Sequence, residues 1–191
     1  MTSGKRPPPL PTSLKPLLLV LALATLSDQC RADPTPTDPT PTELDAIAHT
    51  LGFVDGVPHV GDVRVAILFD PADAGAAVAA QTTAAALGKT DGPGSANLAA
   101  TAVPAGAVGT AGTFDAFLLM PGTGHLAGPI VAEAARRHLV TISSDPQCLV
   151  DRTCVLWVAA EPRVAITLDT KLAETIGVRI SPIFAMMVKR R

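Results

Sequence analysis

This chain of 191 residues has no tyrosine, one tryptophan and five phenylalanines. It therefore offers few rings on which bases could stack, and its basic residues form no stripe that could follow a phosphate backbone, so its composition argues against a nucleic-acid partner. Only 17% of residues are charged and 48% are hydrophobic, the reverse of a disordered polymer. Long apolar runs are lacking as well. The stretch Leu17 to Leu26 covers ten residues, about half of what a membrane-spanning helix needs. Catalytic and cofactor signatures are thin. Gly122-Thr123-Gly124 follows a predicted strand, but position 127 is Ala, so the dinucleotide fingerprint is incomplete, and no phosphate-binding Lys accompanies it. Ser143 and Ser144 stand beside Asp145 without a nucleophile elbow around them. No enzyme activity, cofactor or metal is expected.

The short apolar stretch belongs to a targeting segment. Lys5, Arg6 and Lys15 precede it, and the small-x-small pattern Cys30-Arg31-Ala32 follows, which is the layout of an export signal cleaved before Asp33. Lipidation at Cys30 is the alternative ending, disfavoured by Asp28 and Gln29 where small residues belong. Removing residues 1–32 leaves 11 basic against 16 acidic residues, a net charge of −5. Residues 33–42 repeat Asp-Pro-Thr-Pro-Thr, an extended spacer without a core of its own. The protein is expected in the periplasm.

Residues 43–191 read as one α/β domain. Thr42 is placed to cap a helix with Leu44, Ile47, Ala48 and Leu51 on one face, closed by Gly52. A strand over Val63 to Phe69 ends at Asp70-Pro71-Ala72-Asp73, a helix start, and an Ala-rich helix follows to Leu87. A weak strand over Ala96 to Val103 and a strong one over Phe114 to Met120 come next, then a helix with Pro129 at its first position running to His138, and a strand over Leu139 to Ser143. Cys154 to Ala159 and Arg163 to Leu168 suggest a hairpin across Glu161-Pro162. Helices over Thr170 to Ile176 and from Pro182 onward end the chain, with Val178 to Ile180 as a short strand between them, the last helix with Ile183, Phe184, Met186 and Met187 on its apolar side and Lys189, Arg190 and Arg191 at the negative end of its dipole. Strands alternating with helices predict a single three-layer domain, a mostly parallel (mixed) sheet flanked by helices with an antiparallel hairpin near the C-terminal end.

After loss of Cys30 the exported chain keeps Cys148 and Cys154, which bracket a five-residue segment. A disulfide there contributes on the order of 2 kcal/mol on chain-entropy grounds. Buried thiols and a metal site are the competing readings; neither His125 nor His138 is spaced to complete a ligand set. The residues placed where open α/β sheets bind ligands, at strand C-terminal ends, are Asp70, His125, Ser144 and Asp145.

The C-terminal third carries a family resemblance. Val140-Thr141-Ile142-Ser143-Ser144-Asp145-Pro146-Gln147-Cys148, then Cys154 to Val158, Pro162 to Ile166, Gly177 to Ile180 and Phe184 to Met187 resemble the YfiR-type periplasmic regulators, with the strands Val63 to Asp70 and Phe114 to Pro121 in register upstream. Asp169 stands where that family usually has Asn. The resemblance implies a small exported protein without catalysis that restrains an inner-membrane diguanylate cyclase by binding its periplasmic segment, lowering cyclic di-GMP signalling. A second resemblance, of Val63 to Ala72 to the opening strand of one lobe of an ABC-transporter substrate-binding protein, implies a small solute-binding module. The two differ in what they demand: an exposed apolar patch for the first, a concave site near Asp70, His125 and Asp145 for the second.

Overall fold

Thr40 and Glu43 start the first helix by satisfying each other. The Thr40 hydroxyl accepts the Glu43 amide at 3.3 Å, and the Glu43 carboxylate accepts the Thr40 amide at 2.8 Å, a reciprocal cap for donors that a first turn leaves free. In this computed structural model, which describes residues 37–191, that cap opens α1 (Pro41–Leu51). The helix therefore begins ahead of Thr42, the expected cap. Pro41 suits the first position because its missing amide would have had no partner there. The expected export signal, Cys30 and the start of the Pro/Thr stretch lie outside the described residues.

The sheet grows outward from β1 (Val60–Phe69), which is buried from Val65 to Phe69. On one side β1 pairs in parallel with β2 (Ser95–Pro104) over its whole length, from Val60↔Ser95 to Phe69↔Pro104. On the other it pairs in parallel with β3 (Ala116–Leu119), followed by β4 (Val140–Ser143) and β5 (Leu156–Ala159). β6 (Ala165–Leu168) turns back antiparallel to β5, giving the expected hairpin, and β7 (Lys189–Arg190) lies parallel to β6. The strand order is β2-β1-β3-β4-β5-β6-β7. The domain is thus α/β with a mostly parallel, mixed sheet and a C-terminal antiparallel pair.

Helices cover the sheet: α2 (Ala76–Leu87), α3 (Ala127–Arg137), α4 (Gln147–Val150), α5 (Thr170–Ile176) and α6 (Pro182–Met187). α2 packs with α1, and α3 with α5. The crossovers from β1 through α2 to β2 and from β3 through α3 to β4 run in opposite directions along the sheet, and their right-handedness puts these pairs on opposite faces. Between them lie Ile67, Leu68, Phe117, Leu118, Ile142 and Leu156, all fully buried, as a parallel sheet covered on both faces requires.

Four local expectations are corrected. The segment Asp70 to Asp73 bends instead of starting a helix, and α2 begins after Gly75, whose φ of 97° favours glycine. Pro129 is third in α3 because a tight turn over Thr123–Leu126 leads into that helix. Residues Val178 to Ile180 form only a single bridge, Val54↔Ile180. Lys189 and Arg190 do not decorate a helix end; they pair with Thr167 and Leu168 as a strand.

α5 ends as its sequence predicts, for a reason visible only in three dimensions. Gly177 has φ 73°, and a Cβ there would lie 2.6 Å from His138 Nδ1, an atom that itself faces the Ile176 carbonyl at 3.0 Å. A larger residue at position 177 would be strained at this φ and would displace the His138 ring from the Ile176 carbonyl.

Candidate functional site

The strand order reverses between β1 and β3, and in open α/β sheets the crevice beyond the C-terminal ends of such strands is where ligands gather. Asp70 follows β1 and His125 lies in the turn after β3, and the structure brings the two together. His125 Nε2 is 3.4 Å from Asp70 Oδ2, while His125 Nδ1 faces the Gly122 carbonyl at 3.1 Å. Asp70 Oδ1 accepts the Ala72 amide at 2.9 Å. The ring thus spans two acceptors, and the pair bridges the switch point. The contact becomes an ion pair only when the imidazole is protonated.

Ser144 and Asp145 follow β4 and work differently. Asp145 shapes its own turn, its amide donating to the Ser143 hydroxyl at 3.1 Å and its carboxylate accepting the Gln147 amide at 2.9 Å. The Ser144 carbonyl accepts Trp157 Nε1 at 3.0 Å, whereas its buried hydroxyl has no partner among the described residues. The Asp151 carboxylate is seated against Gly124, so a side chain at position 124 would have to displace it. Asp151 also accepts Gln147 Nε2 at 3.0 Å. Behind this turn Cys148 and Cys154 form a disulfide, with Cα atoms 5.4 Å apart. Both cysteines are buried, Cys148 within α4 and Cys154 just ahead of β5, so the turn after β4 is braced from below.

Sequence reasoning singled out this end of the sheet and missed a second surface. A groove of about 310 Å³ opens between α1, the β6 hairpin strand and α6, with Ala46, Phe53, Val164, Ile166 and Phe184 among its lining residues. Val164 and Ile166 are two apart on an extended segment and so share a face. Phe53 stacks on Phe184 with ring centroids 4.6 Å apart. Val164 is 52% exposed, and on α6 Ile183, Met186 and Met187 are 66–75% exposed. Of the four residues read on the apolar side of α6, Phe184 alone is buried, and the other three face solvent. A signal was present in Phe53, a large ring directly after the helix-ending Gly52, where a surface turn ordinarily carries polar residues.

A third cavity, of about 580 Å³, lies beyond the other end of β1 and β2, where His49, His59 and Asp91 join Phe53 and three glycines. Among the described residues no group of three or more His, Cys, Asp or Glu is arranged to hold a metal ion. Nor is any described helix long and apolar enough to cross a membrane.

Charge elsewhere is structural. On α3, Glu133 accepts Arg136 Nε at 2.8 Å and pairs also with Arg137, whose guanidinium reaches the carbonyls of Gly109 and Gly112. The hydrogen bond from Arg136 holds the Glu133 carboxyl below the usual range, against the opposing effect of burial. Arg64 bonds Asp115 through its amide and its guanidinium, and that partner raises the Arg64 pKa. These links fasten the connection between β2 and β3 and leave the groove uncharged apart from Asp45 and His49 on its rim. Comparison with models of known families and with curated proteins finds no match for the chain.

Proposed function

We propose that this protein is an exported, non-enzymatic regulatory binding protein that restrains an inner-membrane diguanylate cyclase by gripping its periplasmic segment. The observation that carries this reading is the groove of Phe53, Val164, Ile166 and Phe184, next to a helix whose Ile183, Met186 and Met187 lie in solvent. Apolar side chains grouped on a surface mark interaction sites, and methionines adapt to varied partner shapes. The disulfide is compatible with export. The YfiR-type resemblance runs through the same elements, from Val140 to Met187.

The test is cyclic di-GMP in the native host. Deleting the gene should raise it in a manner dependent on one membrane cyclase, and Val164→Glu, at an exposed position, should reproduce the deletion while the purified protein keeps its melting temperature. Unchanged cyclic di-GMP on deletion would reject the reading. A second reading, a small solute-binding module, draws on the Asp70–His125 pair at the switch point. It predicts lost uptake of a solute on deletion, with cyclic di-GMP unaltered.

A further inference from the structure

We propose that the outer edge of β2 pairs antiparallel with the same edge of a second copy, joining two sheets across a twofold axis. Among the described residues β2 has β1 on one side and no strand on the other. It runs ten residues, Ser95–Pro104, with no charged side chain and no proline before its last position. Exposed edges of this length are ordinarily blunted by lysine, proline, a bulge or brevity, because a row of unpaired amides and carbonyls recruits another strand. None of those devices is present in β2, and Ser95, Asn97, Ala99 and Thr101 are exposed along it.

The layer above the strand fits a second copy in particular. α2 packs on both β1 and β2, so its axis lies over their seam. Joining two β2 edges places the two helix axes two strand spacings apart, or about 10 Å, which is the packing distance of helices with modest side chains. α2 has no charged residue from Ala76 to Leu87, and its exposed residues are Ala77, Val78, Gln81, Thr82 and Ala85. Small uncharged side chains therefore face their own copies.

Centring the contact on the strand sets the register. With the axis between Ala99 and its copy, near the middle of β2, Leu98 lies against Ala100 and Asn97 against Thr101, residues that share a face as directly opposed pairs must, and no like charges are opposed. The strip is roughly 33 Å long and, with its helix layer, roughly 20 Å deep, approaching the area of about 800 Å² per partner typical of a stable interface. The groove of Phe53 and Val164 takes no part in this contact.

The experiment is sedimentation equilibrium of the exported protein across the micromolar range. Wild type should show the mass of two chains, and Ala99→Lys and Ala99→Glu should each weaken association at least about tenfold by opposing like charges at the axis. Mixing the two variants should restore the two-chain mass, since Lys then faces Glu. Should a substitution at position 99 perturb the circular dichroism spectrum, Ala85→Glu on α2 serves as the second variant, with the same loss of mass expected. A single-chain mass for wild type, association unaffected in these variants, no recovery on mixing, or a dimer broken by Val164→Glu and not by Ala99→Lys would each overturn the proposal.

Discussion

β2 and β7 close the same sheet on opposite sides, and they are built by different rules. β2 extends ten residues without a charge and takes its register from full-length pairing with β1. β7 consists of Lys189 and Arg190 alone, both exposed, and covers only the end of β6. Short length and positive charge are ordinary ways of keeping an edge solitary. The comparison teaches that protection here is local. The basic end guards its backbone and displays apolar side chains in a groove, whereas the neutral end displays its backbone and hides its apolar side chains under α2. One end is suited to side-chain recognition, the other to main-chain pairing.

The sharpest way to break the neutral end is Leu87→Ala. Leu87 is fully buried at the end of α2, and its truncation should cost about 2–5 kcal/mol, read from denaturant unfolding. An effect below about 1 kcal/mol would mean that α2 is not a principal support of β2. Between β4 and β5, replacing Cys148 and Cys154 together with Ser should lower stability by about 2 kcal/mol and, on the proposed function, weaken restraint of the cyclase in parallel, because the turn after β4 loses its brace. A variant that keeps full restraint would separate the brace from recognition.

A finer probe concerns Asp169, which is 3% exposed, accepts the Leu172 amide at 2.9 Å and lies 3.3 Å from Arg191 Nε. Asp169→Ala should lose about 1–2 kcal/mol through the missing cap of α5. Asp169→Asn should retain most of that, having kept an acceptor, so the difference between the two reports how much the ion pair holds β7 in place. The smallest expected effect is pH-dependent and lies beyond β2. The Glu133 carboxyl is held low in the folded protein by its hydrogen bond from Arg136, so its contribution to stability is present above the unfolded carboxylate pKa and is lost as pH falls through the folded value. Melting temperature should therefore fall from about pH 5 downward less steeply in Glu133→Gln than in wild type.

Much of the scaffold was readable before any coordinates. α5 carries its own stop at Gly177, the hairpin is announced by Glu161-Pro162 between apolar runs, and the two cysteines pair as their spacing and expected compartment suggested. β2 was readable only as a weak strand, since Ser, Ala and Asn, which make up most of it, carry little strand preference; it is held straight by β1, an influence from 35 residues away. The Lys189-Arg190 strand was hidden because charge at a helix end and charge on an edge strand look alike in sequence. At the site, strand order places Asp70 and His125 at the same end of the sheet, but their contact is visible only in the structure, and the groove was hidden altogether because it joins Phe53, Val164 and Phe184 from three distant segments.

The sole tryptophan gives this molecule an optical asymmetry. Trp157 sits on β5 and donates its indole proton to the Ser144 carbonyl above the braced turn, and the chain has no tyrosine to add a second signal. Ultraviolet emission therefore watches one end of the sheet and is blind to the other. Opening of the turn, reduction of the cysteines or a ligand settling near the hairpin will change its colour and yield. Events along β2 will pass unseen by light and must be weighed.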